Sequence, residues 1–193
     1  MTSYTKISTR KLVLGAIMTA LVVVFQLVGT FTTFFGPFST ALALIPIVIG
    51  AAMCGVGTGA WLGFVFGFVV LISGGANLFF AFSVHGTIIT VIAKGTLCGF
   101  AAGLVYKILG KYNKFVAVLA ASIVCPIVNT GIFMLGSVVF FLGFANQIAA
   151  AIGLEAAGIA VFTAMATGNF LFELGLNIVL SPVVVRLLNI RKK

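Results

Sequence analysis

The sequence predicts an all-α integral membrane protein of six transmembrane helices with both termini on the cytoplasmic side, and three observations carry that reading. Of its 193 residues 62% are hydrophobic and 7% charged, with mean hydropathy +1.34, a balance that leaves too little polar surface to cover a soluble domain. Between Lys11 and Lys94 there is no charged side chain, a stretch several times the roughly 20 apolar residues that cross a bilayer core. Ten of the eleven basic residues fall in three short clusters: Lys6, Arg10 and Lys11; Lys107, Lys111 and Lys114; and Arg186, Arg191, Lys192 and Lys193. The apolar stretches run continuously, which fits helices and not the roughly 10-residue alternating strands of an outer-membrane barrel.

The basic clusters are topology marks. Lys and Arg stay on the cytoplasmic side of short loops, so an even number of crossings separates each pair of clusters, with room for four before Lys107 and two after Lys114. The net charge of +9 therefore reports orientation and not a nucleic-acid surface.

Taken in order, the run from Leu12 to Val28 behind the first basic cluster is too long for a signal-peptide core and is the first span, 12–30. Spans two and three, 40–55 and 57–73, meet at Cys54-Gly55-Val56-Gly57-Thr58, a turn with no basic residue to fix its side. Span four covers 87–108. Span five, 115–143, is long for one crossing and holds Pro126, Asn129 and Gly131, which predicts a kink and an unwound or projecting outer end. Span six covers 160–188, and the outer loops are 31–39, 74–86 and 144–159. The whole chain, 1–193, reads as one membrane domain without linker or internal duplication, so the inverted repeats of many secondary transporters find no support.

Gly55, Gly59, Gly63 and Gly67 repeat every fourth residue, as do Gly95, Gly99 and Gly103. Such stripes let helix backbones approach closely, and internal packing is the expected use. Ala16 and Ala20 form a similar pair on span one, expected to face another membrane protein. Cys54, Cys98 and Cys125 lack metal or redox spacing and read as small buried hydrophobes.

What remains inside the membrane is a short polar set: Gln26, Asn77, His85, Lys94, Asn129, Glu155, Asn169, Glu173 and Asn177. Lys94 lies 13 residues before Lys107 and Glu173 13 before Arg186, which at about 1.5 Å per residue places both roughly 20 Å from the inner boundary. Asn129, Gln26 and Asn169 count to the same outer layer. An ionisable group there costs at least about 2.5 kcal/mol, so it should face the interior and have a partner. Asn169 and Glu173, spaced i, i+4, share one helix face. Two readings stand for Lys94 and Glu173, a structural ion pair or contact with a solute. Asn129 either meets a solute or satisfies carbonyls freed by Pro126. His85 reads as a surface residue or a proton switch, and Glu155 as a solvated loop residue. Asn77, His85 and the aromatic stretches Phe31 to Phe38 and Phe79 to Phe82 are expected to come from outer loops that close over the site. The inner half is nearly all apolar, which predicts a cup open to the outside.

Catalytic signatures are missing. No GxSxG, HExxH or Walker A sequence occurs, and two carboxylates leave few ways to build an active site. No enzyme, cofactor or metal site is expected, and active transport would draw on an ion gradient or a separate ATPase.

The basic N-terminus running into Leu14-Gly15-Ala16-Ile17-Met18-Thr19-Ala20, the break Cys125-Pro126-Ile127-Val128-Asn129-Thr130-Gly131 and the last span around Asn169-Phe170-Leu171-Phe172-Glu173 together resemble the substrate-binding S components of energy-coupling factor (ECF) transporters. The resemblance covers essentially the whole chain, and Ala16 and Ala20 match that family's AxxxA motif. It implies a plasma-membrane subunit that captures a vitamin near the outer face, contacts a transmembrane scaffold through Ala16 and Ala20, and depends on two cytoplasmic ATPases. By resemblance Lys94, Asn129, Asn169 and Glu173 would bind solute, with Gln26, Asn77 and His85 as further candidates. One Lys, several amides and few deep aromatic residues favour a small carboxylate-bearing solute, pantothenate first, then a hydroxymethylpyrimidine or pyridoxine, then riboflavin or folate. The competing classes are a proton-coupled secondary transporter working through Glu173 or His85, and a membrane scaffold that moves no solute.

Overall fold

Helix α1 (Thr9–Phe31) starts inside the first basic cluster and runs as one apolar rod of 23 residues. In the computed structural model, which describes residues 9–31, 42–151, 153 and 158–190, it is followed by α2 (Leu44–Cys54), α3 (Val56–Ile72), α4 (Asn77–Phe80), α5 (Val84–Leu109), α6 (Lys114–Phe140), α7 (Leu142–Ala151) and α8 (Gly158–Ile190), with no strand among the described residues. The aromatic stretch beyond Phe31, Glu155, Lys6 and the terminal Arg191, Lys192 and Lys193 lie outside those residues.

Four helices, α1, α5, α6 and α8, are long and apolar enough to cross a membrane, while α2 and α3 are apolar but shorter. At 11 residues α2 is about 16 Å long. It is also the most enclosed element: Leu44, Pro46 to Ile49, Gly50 and Ala51 are all buried, and it touches α1, α3, α5, α6 and α8. Gly55, at φ 109°, reverses the chain between α2 and α3 in a conformation that side chains other than glycine avoid.

Helices α3 and α5 pack backbone to backbone along the glycine stripes. A methyl at Gly59 would sit 2.5 Å from the Gly99 carbonyl oxygen, one at Gly67 2.7 Å from the Val91 oxygen, and Gly63 and Gly95 oppose each other's carbonyls more closely still. The stripes thus serve internal packing, as expected of small residues at a membrane helix interface.

Two loop expectations are corrected. Span five ends at Phe140, and most of the stretch assigned to the outer loop 144–159 is helical, because Phe144, Ala145 and Ala149 bury one face of α7 as it packs on α8. The 74–86 loop contains the single turn α4, and α5 begins at Val84 because Ser83 caps it, its Oγ accepting from Gly86 N at 3.1 Å. Helix α6 continues through Pro126.

The basic ends of the helices gather together. Cys54, in the α2–α3 turn, lies with its Sγ 3.7 Å from the Lys11 carbonyl oxygen, and the same turn shares a cleft with Lys107. The turn that carries no charge of its own is thereby tied to the end of the bundle marked by Lys11 and Lys107.

Candidate functional site

Thirteen residues along α5 from that end, Lys94 opens into an internal cavity of about 50 Å³, room for a few water molecules. Asn129 from α6 and Asn169 and Glu173 from α8 line the same cavity. Four of the five polar residues placed in one layer by counting along helices therefore converge on one space, and Gln26 does not.

Glu173 organises it. Its side chain is buried; Asn169 Nδ2, one turn earlier on α8, donates to Oε1 at 2.7 Å, and Asn129 Nδ2 donates to Oε2 at 3.5 Å from the facing helix. Asn177 Nδ2 donates to the Glu173 backbone carbonyl at 2.8 Å, joining the next turn to the network. Asn129 is thus turned toward α8 and not toward the carbonyls near Pro126. Its Oδ1 is buried and has no hydrogen-bond partner, and the same holds for Thr90 Oγ1 on the cavity wall. Buried polar atoms are seldom left unsatisfied in a folded protein, so the Asn129 oxygen beside the cavity is an acceptor suited to a donor there, while Thr90 Oγ1 packs against Gly136 of α6.

Lys94 lies with Nζ 5.0 Å from the Phe133 ring centre and 5.7 Å from that of Phe66, within reach for cation–π attraction. Glu173 is its electrostatic neighbour. A half-buried lysine, a carboxylate held by two amides and the unpartnered Asn129 oxygen stand within one hollow. That set can grip a solute carrying both an anionic and a hydrogen-bonding end.

Four phenylalanines, Phe66, Phe79, Phe133 and Phe141, also line the cavity, which overturns the expectation of few deep aromatic residues. Phe79, brought in by α4, meets Phe133 edge-on at 5.5 Å and Phe141 at 5.1 Å. It also contacts Phe144 of α7 at 5.2 Å, and Phe82 meets Phe144 at 4.8 Å. These rings form a second apolar cluster, separate from the main core. The main core supplies Phe66, Val70, Ala76 and Val91 to the cavity wall and continues toward the basic end through Cys98 and Ala102 of α5 and Val118, Ala121 and Cys125 of α6. An aromatic cluster on one side and a greasy floor toward the basic end enclose the polar layer.

Three candidates fall elsewhere. Gln26 is fully buried, but its Nε2 donates to Thr30 Oγ1 at 3.4 Å and its Oε1 is unpartnered; it is absent from the cavity wall. Asn77 is exposed at the start of α4, turned against Gly74. His85 is exposed in the first turn of α5 and also lies off the cavity wall. Both were expected to close over the site, and the reason for the difference is local: Gly74, at φ 85°, sets the entry into α4 so that Phe79 turns inward and Asn77 outward.

Residues overlooked in the sequence are Thr90, Thr130 and three of the rings, Phe66, Phe133 and Phe141, whereas Phe79 belongs to an aromatic stretch already expected near the site. Thr90 is one turn before Lys94 and Phe133 one turn after Asn129, so the i, i+4 rule that paired Asn169 with Glu173 would have found both. Ala16 and Ala20 are exposed on α1, beside Ile17 and Val24. Cys98 and Cys125 are buried as expected but Cys54, at the α2–α3 turn, is half-buried; none of the three is in a disulfide, and among the described residues no group of three metal-ligating side chains occurs.

Compared with known proteins, the chain is matched over residues 10–185 by the family model of the ECF transporter, substrate-specific component. The curated proteins and the solved structures gave no match.

Proposed function

The chain belongs to the ECF transporter substrate-specific component family, whose members are substrate-capture subunits and not enzymes, and from that premise we propose how this member captures its solute. The convergence of Lys94, Asn129, Asn169 and Glu173 on one cavity carries the proposal. The solute is a vitamin-sized molecule taken from the outer face of the plasma membrane. Its anionic group pairs with Lys94, a donor meets Asn129 Oδ1, and its apolar body packs on Phe66 and Phe133. Glu173 holds the two asparagines in register.

Helices α2 and α3 complete six crossings, with both termini cytoplasmic, so that the apolar core beneath the cavity faces the cytosol. Release then requires the scaffold and two ATPases, docked through the Ala16 and Ala20 face of α1. Pantothenate remains the first candidate because Lys94 is the one cation in the cavity, matching a single carboxylate, and its branched aliphatic body packs against phenyl rings. The four phenylalanines favour a second reading, a hydroxymethylpyrimidine or pyridoxine ring stacked between them.

Purified protein titrated with pantothenate, hydroxymethylpyrimidine, pyridoxine, riboflavin and folate should bind one of the first three. In proteoliposomes the chain alone should bind without accumulating solute, and uptake should need the scaffold, the ATPases and ATP. Gradient-driven uptake by the chain alone would overturn the proposal in favour of a proton-coupled carrier, a role for which the exposed His85, off the cavity wall, is poorly placed.

A further inference from the structure

A second hollow lies at the opposite end of the bundle. It is a cleft of about 290 Å³ between the start of α1, the α2–α3 turn and the end of α5, about 20 Å along α5 from Lys94. Met53, Val56 and Ala52 give it apolar walls, and two exposed lysines, Lys11 and Lys107, line it from separate helices together with Tyr106. The first turn of α3 opens beside it without a side-chain cap.

Nothing nearby in the described chain neutralises those two cations. Glu173 is the only carboxylate among the described residues, and it is held in the other cavity by Asn129 and Asn169. An anion from outside the described residues would complement the two lysines. Apolar walls below a paired cation, at the level where basic residues mark the membrane boundary, define an amphipathic anion rather than a free ion.

We infer that this cleft is a binding site for an anionic phospholipid of the leaflet on the Lys11 side, its phosphate bridging Lys11 and Lys107 and one acyl chain lying along Met53 and Val56. On the orientation proposed above that is the cytoplasmic leaflet. The lipid bridges α1 to α5 at the point where α1 meets the α2–α3 turn. It fastens the helix carrying Ala16 and Ala20 to the remainder of the bundle.

The test uses the full chain. Native mass spectrometry counts lipids retained after incubation with phosphatidylglycerol or phosphatidylcholine, and melting curves are recorded with each lipid and with inorganic phosphate. Retention of phosphatidylglycerol over phosphatidylcholine should fall roughly five-fold in Lys11→Gln or Lys107→Gln and roughly thirty-fold in the double variant. Met53→Trp, which fills the cleft without touching charge, should also abolish retention, and it keeps the test decisive if the double variant does not fold. Lys111→Gln, outside the cleft, should change nothing. Equal losses with Lys111→Gln would reduce the effect to diffuse surface charge and overturn the site. A melting shift by inorganic phosphate equal to that by phosphatidylglycerol would overturn the lipid in favour of a free anion. Unchanged lipid retention with lost scaffold association in the double variant would mark a protein interface and overturn it as well.

Discussion

Asn169 donates to the Glu173 carboxylate at 2.7 Å across one turn of α8, so the acid arrives at the cavity already oriented by its own helix. Asn129 completes the arrangement from α6. Replacing Glu173 by Gln sets a third NH₂ group against two amide donors, leaving one buried donor unmet at a cost of about 1–3 kcal/mol. Solute affinity measured by calorimetry should fall roughly 5- to 150-fold, and the melting temperature should drop with it.

On the proposed function, Lys94 decides whether the solute is an acid. In Lys94→Met, pantothenate affinity should fall roughly 10- to 150-fold, the worth of a charge-assisted contact, whereas its neutral alcohol analogue should bind wild type and variant within about three-fold, inside the scatter of a lost weak contact. Equal affinity for acid and alcohol in the wild type would transfer the assignment to the neutral-ring reading.

Phe79 seals the cavity by touching Phe133, Phe141 and Phe144. These rings pack apart from the main core, and all but Phe144 line the cavity. Phe79→Ala should speed solute dissociation by about ten-fold or more, consistent with loss of part of the roughly 3–5 kcal/mol of packing that holds the closed state and is given up on opening. A chase experiment with labelled solute reads this directly.

The glycine seam between α3 and α5 tolerates no side chain. Gly63→Ala would drive a methyl into the Gly95 carbonyl and should lower thermal stability by about 1–3 kcal/mol or more. Gly131→Ala, whose methyl would meet nothing within 4 Å, is the matched control and should be neutral or stabilising.

Ala16 and Ala20 are exposed on α1. Enlarging both to Leu should leave solute binding by the isolated chain unchanged and abolish uptake by the assembled transporter, measured side by side in proteoliposomes.

Class, helix positions and the polar layer were legible because they rest on quantities a sequence carries openly: hydropathy, the placement of Lys and Arg, and a rise of 1.5 Å per residue. Lys94 and Glu173 could be set at one depth by counting from Lys107 and Arg186. The aromatic lining was not legible, since in a chain with 20 phenylalanines and lipid as solvent a ring gains nearly as much facing outward as inward. Phe66 and Phe68 look alike in sequence, yet one is buried at the cavity and the other exposed. That Asn77 and His85 lie off the cavity wall was illegible for a related reason, because their directions depend on the backbone at Gly74 and the cap at Ser83. Helix α7 was missed because Phe144, Ala145 and Ala149 form too short a pattern to stand out from the apolar stretches around them.

The seam that welds α3 to α5 separates what can vary in this molecule from what cannot. Helices α6 and α8 contribute Asn129, Asn169 and Glu173 from outside that seam, so polar side chains there can be exchanged without touching the α3–α5 interlock. On the proposed function, a library randomised at Asn129, Thr130 and Asn169, with Glu173 kept as the buried anchor, would alter solute choice while the exposed α1 face stayed intact.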